Sequence, residues 1–357
     1  MQLGFIGLKY SGKSTLFELL TQGKYEAVRS GMAEYHRGQV ILPDERIIRL
    51  SDIYQPQKTT FAHFDCIDVM GIPASMRSDQ AAKYLEAVRQ TDSLVAVIQV
   101  FDGYDTEGKP FKIDPVANLK HLEDDLIFAD LLVAETRLDK MRHLKARSAP
   151  QFNQKELDIL EKCKAALDTN TPLRDIDISI NENMIIRGFQ FLSQKPLMAV
   201  LNCDETHYAE REHYETEFKN AFPLIPVTSA SALAEKEIQE LDEDERELFM
   251  EELGIDEPAI NHVITTSYTA IGLISFFTVG EDEVRAWTIA SNALAPEAAG
   301  VIHSDLQKGF IRAEVVSYDD FMQENGMAQA KAKGLVRLEG KDYVVKDGDI
   351  LNIRFNI

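Results

Sequence analysis

Gly7-Leu8-Lys9-Tyr10-Ser11-Gly12-Lys13-Ser14 decides the fold. The octapeptide fits G-x-x-x-x-G-K-[ST] and lies between an apolar stretch at residues 3–6 and a run of helical spacing at 14–20. Strand, glycine-bearing turn and helix, in that order, are the setting in which the pattern cradles phosphate. Gly7 and Gly12 let the backbone curl until successive N–H groups face one concavity, where the helix N-terminus adds positive potential. Lys13 supplies a mobile cation for the β- and γ-phosphates, and the Ser14 hydroxyl is an oxygen ligand for Mg²⁺. The residues assigned here to the nucleotide are Gly7, Tyr10, Ser11, Gly12, Lys13, Ser14 and Thr15.

Working outward, further strands are expected at 61–69, at the Val- and Ile-rich 94–101, at 197–201 behind Pro196, and at 224–227. Strands alternating with helices predict a doubly wound, mainly parallel α/β sheet. Leu119, Leu122, Leu126, Ala129 and Val133 step by three and four, and Leu157, Leu160 and Leu167 resume that spacing after a break at Ser148-Ala149-Pro150. Two antiparallel helices inserted into the α/β domain fit this pattern. From 273 onward short β-rich runs dominate (276–279, 284–289, 310–318, 335–357), with helical stretches at 295–301 and 319–332. The expected division is 1–114 with 195–272 for nucleotide binding, 115–194 for the helical insertion, and 273–357 for a small α+β module.

Charge narrows the choice of partners. The 357 residues hold 59 acids and 38 Lys or Arg, a net charge of −21, which repels polyanions unless cations are gathered locally. One such gathering exists: Arg137, Lys140, Arg142, Lys145 and Arg147 at the expected hairpin tip, against the single acid Asp139. It reads as a solvated helix end with cations near its C-terminus, or as a contact for RNA or an acidic partner. Residues 235–257 hold twelve acids and two bases and read as a solvated helical face. Apolar runs fall well short of the 18 or so residues a membrane span needs, and residues 1–7 do not resemble an export signal. Cys66, Cys163 and Cys203 are odd in number and widely spaced, which gives neither a disulfide framework nor a metal pattern and suits a reducing cytoplasm.

Two further motifs carry chemistry. Asp68-Val69-Met70-Gly71 has the D-x-x-G form of a nucleotide switch: Asp68 can reach Mg²⁺, usually through water, and the Gly71 N–H can bond the γ-phosphate, so that hydrolysis releases the following loop. Asn202-Cys203-Asp204-Glu205 stands where GTPases place N-K-x-D, whose Asp takes the guanine N1–H and 2-amino group. Glu205 is one methylene longer, and Cys203 offers only a small apolar cover in place of the Lys stem. Thr228-Ser229-Ala230 is similar to the backbone loop that meets the base edge. Asn202, Cys203, Glu205, Ser229 and Ala230 are therefore the base-side candidates. No residue can be given the role of orienting water; Lys9 is expected at the surface beside the loop, with an approach to the γ-phosphate in place of a missing cation as the alternative. His303 is expected to be structural or to face a partner.

With these motifs in hand the chain resembles the YchF or Obg-like ATPases, a branch of the Obg-related P-loop GTPases. The most specific stretches are Val284-Arg285-Ala286-Trp287-Thr288-Ile289, Ala298-Ala299-Gly300-Val301-Ile302-His303-Ser304-Asp305, Lys308-Gly309-Phe310-Ile311-Arg312-Ala313 and Glu339-Gly340-Lys341-Asp342-Tyr343-Val344-Val345-Lys346-Asp347-Gly348-Asp349. The resemblance implies a nucleotide-binding core, an inserted helical hairpin and a C-terminal β-grasp (TGS) domain. It also implies ATP rather than GTP, because N-x-x-E is the family's own departure, and association with the ribosome, for which the basic tip and the TGS domain are the candidate surfaces.

The active half departs from the family. Lys9-Tyr10 replaces a Pro-Asn pair, whose Asn helps hold potassium in related enzymes. Aligning on Gly38 and Pro43-Asp44 puts Met32 where the first switch normally presents a Mg²⁺-liganding Thr; Ser30 and Tyr35 are the nearby hydroxyls. Ile72-Pro73-Ala74-Ser75 lacks the Gly-rich stretch expected after Gly71, and Ile72 stands where Ras-type enzymes carry a water-orienting Gln, an apolar residue there being usual in this family. The resulting expectation is a cytoplasmic, Mg²⁺-dependent NTPase that binds ATP or GTP, hydrolyses it slowly, and couples nucleotide state to a ribosomal partner. A non-hydrolysing adaptor is the alternative. A small-molecule kinase leaves Asn202, the Ser229 loop and the C-terminal module without a role.

Overall fold

The computed structural model describes residues 2–30, 33–69, 85–104, 108–110, 112–242, 245–246, 248, 258–324 and 326–356. The chain begins with β1 (Gln2–Ile6), α1 (Lys13–Leu20), β2 (Tyr25–Ser30) and β3 (Ala33–Ile41), followed by α2 (Glu45–Tyr54), β4 (Lys58–Thr60) and β5 (His63–Val69). A 3₁₀ turn (Leu85–Gln90) and β6 (Ser93–Val100) precede the inserted helices α3 (Pro115–Ala146), α4 (Gln154–Asp168) and α5 (Ile180–Ile186). Next come β7 (Leu197–Cys203), α6 (Glu205–Ala209), α7 (Arg211–Ala221), β8 (Val227–Ala230), α8 (Ala232–Glu240) and α9 (Ala259–Ala270).

These residues divide into two compact units. The first comprises Met1–Gly38 and Asp65–Val263, the second Gln39–Phe64 and Ile264–Ile357. In the first, seven strands run in the order β2-β3-β5-β1-β6-β7-β8. β1 pairs in parallel with β5 and β6, β6 with β7, and β7 with β8, while β2 and β3 form an antiparallel hairpin. Every residue of β6 and β7 is buried, the continuous apolar signature of a strand covered on both faces. The hairpin is an addition to the expected strands. The last strand lies three residues later than expected, at Val227–Ala230 instead of 224–227.

The inserted helices form as their periodicity predicts. Asp114 caps α3 by accepting from the Ala117 N–H at 2.9 Å, and Pro115 occupies the first turn, where its missing N–H costs nothing. The lower part of α3 adds Leu119, Leu122 and Leu126 to the sheet core, and its upper part packs Leu138 and Met141 with Leu157, Leu160 and Cys163 of α4. Between them sits Asp130, fully buried. It accepts from the N–H groups of Leu192 (2.9 Å) and Ser193 (2.7 Å), the Ser193 hydroxyl (2.8 Å) and the Arg89 guanidinium (2.9 Å). Burial pushes this carboxyl above the usual range, and Arg89 with the amides opposes the shift.

The second unit contains β9 (Leu273–Thr278), β10 (Glu283–Ala290), α10 (Ala295–Ile302), α11 (Ser304–Lys308), β11 (Phe310–Ser317), α12 (Tyr318–Glu324), α13 (Met327–Ala332), β12 (Arg337–Glu339) and β13 (Asp349–Phe355). Its six-stranded sheet runs β12-β11-β13-β9-β10-β4. Phe276, Val315 and Leu351 meet the small residues Ala295, Ala298 and Ala299 of α10 in its core. The edge strand β4 comes from far upstream and pairs in parallel with β10, Lys58 opposite Glu283 and Thr59 opposite Val284. Residues 39–64, expected within the nucleotide domain, thus belong to the C-terminal unit, and the expected boundary at 272/273 falls at 263/264. The acidic stretch 235–257 lies partly outside the described residues; within them Ala232–Glu240 is helical.

Candidate functional site

Parallel register brings the site together. Phe5 is opposite Asp68, Gln99 opposite Asn202, and Asn202 opposite Ala230, so the carboxyl ends of β1, β5, β6, β7 and β8 all lie at one edge of the sheet. In open α/β sheets ligands bind outside the carboxyl ends of the strands.

Space and backbone geometry account for both glycines of the first loop. Gly12 holds φ +78°, and a Cβ added there would lie 2.0 Å from Asn202 Nδ2. A Cβ on Gly7 would meet Ser11 Oγ at 2.7 Å and the Val97 carbonyl at 2.9 Å. Tyr10 also holds positive φ, +71°, with the Lys9 ammonium 4.7 Å from its ring centroid. Lys13 is nearly fully buried and donates to Asp68 Oδ1 and the Val69 carbonyl, while the Ser14 hydroxyl donates to Asp68 Oδ2 at 2.9 Å. Burial pulls the Lys13 ammonium below the ordinary lysine range, and Asp68 opposes that pull. A hydroxyl and a carboxylate oxygen side by side are the hard donor set that Mg²⁺ takes, so Ser14 and Asp68 fit the ion expected with a nucleotide. Met32, Gly71 and Ile72 to Ser75 lie outside the described residues.

Beside this loop opens a cavity of about 490 Å³, lined by Gly12, Thr15, Phe101, Asp102, residues 202–206, residues 231–234 and Glu237. Asn202 is its structural centre. Its Nδ2 donates to the Ser11 carbonyl at 2.9 Å and its Oδ1 accepts from the Ala232 N–H at 3.0 Å, tying the phosphate loop to the start of α8. Cys203 is buried, and burial pushes its thiol up to about 12. Glu205 begins α6 at the cavity wall. Ser229 and Ala230 do not line the cavity. Both lie inside β8, where the Ser229 hydroxyl donates to Glu215 Oε1 at 2.9 Å. The later start of that strand moves the base-side wall to Ser231, Ala232, Leu233 and Ala234.

Several wall residues went unread. Asp204 caps α6, accepting from the His207 N–H at 2.9 Å, and its other oxygen accepts from the Asp102 N–H at 3.3 Å. Burial pushes the Asp204 carboxyl up, but the hydrogen bonds from His207 and Asp102 outweigh it and hold the group below the usual range. The ligand atoms of Asp102, Asp204 and His207 lie within 4.8 Å of one another at this wall. Phe101 directly follows a buried strand, which was the available signal.

At the hairpin tip, Arg137 is paired with Glu156 at 2.6 Å, and Arg142 lies 3.7 Å from Asp139 and 3.8 Å from Glu161. Lys140, Lys145 and Arg147 are exposed, Lys145 with its ammonium 5.8 Å from the Phe152 ring centroid. In the second unit His303 caps α11 through its Nδ1, which accepts from the Asp305 N–H at 3.2 Å. No helix among the described residues is long and apolar enough to cross a membrane.

Residues 273–356 match the family model YchF-GTPase_C, described as a protein of unknown function, DUF933. Over 99% of both chains, the sequence is 37% identical to the ribosome-binding ATPase YchF of Pasteurella multocida and 36% identical to that of Bacillus subtilis. Among solved structures it is similar to the Schizosaccharomyces pombe YchF GTPase, with TM-score 0.80 and 26% identity, covering 99% of this chain and 97% of that one.

Proposed function

The chain belongs to the YchF family, and on that premise we propose that it is a Mg²⁺-dependent ATPase that hydrolyses slowly, works in the cytoplasm, and couples its nucleotide state to the ribosome. The carrying observation is the convergence of Lys13, Ser14 and Asp68 at the end of β1 and β5, beside a cavity large enough for a purine. The N–H groups of the loop between Gly7 and Gly12 take phosphate oxygens, and Lys13 exchanges Asp68 for the β- and γ-phosphates. Ser14 and Asp68 hold Mg²⁺, which when bound neutralises charge on those oxygens.

The base enters between Asn202, Cys203 and Glu205 on one wall and Ala232 and Leu233 on the other. N-K-x-D enzymes fix a guanine with an aliphatic stem, which Cys203 lacks, and a carboxylate, which Glu205, one methylene longer than Asp, shifts; this supports ATP as the working nucleotide with GTP as a weaker ligand. Competitive binding of labelled ATP against GTP, in the parent and in Glu205→Asp/Cys203→Lys, tests this; a parent that prefers GTP refutes the base assignment.

Lys140, Lys145 and Arg147 at the exposed tip of α3, together with the C-terminal module, are the surfaces offered to ribosomal RNA or protein. Single-turnover hydrolysis tests the catalytic reading. Product should form over minutes to hours with saturating Mg·ATP and not with Lys13→Ala. Equal traces from both would leave a nucleotide-binding adaptor.

A further inference from the structure

The tip of the phosphate loop carries a second lysine, in surroundings unlike those of Lys13. The Ser11 N–H donates to the Leu8 carbonyl at 3.2 Å, which closes a tight turn with Lys9 and Tyr10 at its two corners. Tyr10 holds φ +71° at the second corner, a place that at positive φ ordinarily goes to glycine. A side chain in this left-handed conformation costs about 1–2 kcal/mol, and strain of that kind collects at functional sites. The turn thereby carries an exposed ring, and the Lys9 ammonium lies 4.7 Å from its centroid.

The two lysines serve the loop from different sides. Lys13 is buried and turned inward, to Asp68 and the Val69 carbonyl. Lys9 stands on the solvent side, and among the described residues no carboxylate comes within ion-pair distance of it, although the chain holds 59 acids. Its contact is the Tyr10 ring alone, worth roughly 0.5–1 kcal/mol at an exposed site. A phosphate oxygen offers a charge-assisted hydrogen bond instead, which is the stronger partner. The ammonium is thus parked on the tip of the phosphate loop by a contact weak enough to exchange.

Resting on the nucleotide-site reading, we propose that Lys9 is a catalytic residue, a cation built into the loop that leaves the Tyr10 ring to bind the γ-phosphate as it is cleaved. In that step the oxygen of a water bonds to the γ phosphorus while the bond from phosphorus to the β–γ bridging oxygen breaks. ADP leaves with the electron pair, one water proton passes to a phosphate oxygen, and Lys9 contributes charge alone. Negative charge shifts onto the bridging oxygen in the transition state, and a cation placed there acts as an arginine finger does in other phosphate-loop hydrolases. A tethered ammonium also takes the place of a free monovalent ion, so hydrolysis by this chain needs no potassium.

Single-turnover hydrolysis of Mg·ATP by the full chain is the test. Lys9→Ala should slow it about a hundredfold and Lys9→Arg should stay within about tenfold of the wild type, with Mg·ADP affinity changed less than about threefold in both. A second readout separates chemistry from folding. The wild type should bind a fluorescent ADP more tightly when fluoroaluminate is added as a mimic of the transferring phosphoryl group, and Lys9→Ala should lose that gain. The wild-type rate should be the same in potassium chloride and in tetramethylammonium chloride. Hydrolysis by Lys9→Ala at the wild-type rate, or a wild type that stops without potassium, overturns the inference and leaves the nucleotide site standing. A wild type that binds Mg·ATP and forms no product refutes the ATPase reading, and the inference with it.

Discussion

Arg46 and Asp347 stand 301 residues apart in the chain and meet at 2.6 Å within the C-terminal unit. Arg46 also grips Asp44, the cap of its own helix, and lies over the Phe277 ring at 5.2 Å. These two carboxylates hold its guanidinium well above the usual arginine range, against the opposing pull of burial. Asp347 Oδ1 accepts in addition from the Ser275 N–H at 2.9 Å. Asp347→Ala leaves that amide and one arm of Arg46 unmatched, and should lower stability by about 1–2 kcal/mol. Urea unfolding of the single and double alanine variants should give a coupling energy below about 1 kcal/mol for the pair itself, since both side chains reach solvent.

Asn202→Ala should separate folding from binding. Removing its amide frees the Ser11 carbonyl and the Ala232 N–H, at a cost of about 1–3 kcal/mol in stability. The phosphate loop also loses its tie to α8. Affinity for Mg·ATP should drop at least tenfold in a fluorescent-nucleotide titration while far-ultraviolet dichroism stays unchanged.

Asp130→Ala should be the most damaging change in the inserted helices. It leaves the buried Arg89 charge and the amides of Leu192 and Ser193 without an acceptor, for which about 3–5 kcal/mol is the expected loss. A fall in Tm of about 5–10 °C by calorimetry is the expected reading; a shift of one or two degrees would mean that water replaces the carboxylate.

The three thiols give a pH prediction. Burial raises all of them, Cys203 up to about 12 and Cys163 up to about 11. At pH 8 the folded protein should show no rapid reaction with an aromatic disulfide reagent, and the denatured chain should titrate three groups. The unfolded thiols ionise from about pH 8.5, whereas the folded ones stay protonated, so this contribution to stability is intact below pH 8 and is lost as pH rises through 11 and 12.

Lys140, Lys145 and Arg147 are the tip cations open to a polyanion. If they carry ribosome contact, replacing all three with alanine should weaken binding and reduce the dependence of log affinity on log salt by about 2–3. An unchanged slope in sedimentation binding would move the contact elsewhere.

The sequence was most readable where the chemistry is contiguous. Eight neighbouring residues dictate the phosphate loop, and β6 and β7 announce themselves by unbroken burial. The hairpin of β2 and β3 was missed because charged and polar residues such as Glu26, Glu34 and Arg37 interrupt its alternation. Ser229 and Ala230 were misplaced because the end of a strand leaves a weaker mark than its middle, and a three-residue slip moves a whole loop. The pairing of β4 with β10 joins residues more than 200 positions apart and leaves no local trace.

That pairing has a bearing on how the molecule can be taken apart or recombined. Because residues 39–64 fold with the tail, grafting the last ninety or so residues of one relative onto the front of another would unite a foreign sheet with an unmatched border strand. Hybrids should stay soluble only when the upstream segment travels with the tail, so the two distant segments have to be exchanged together.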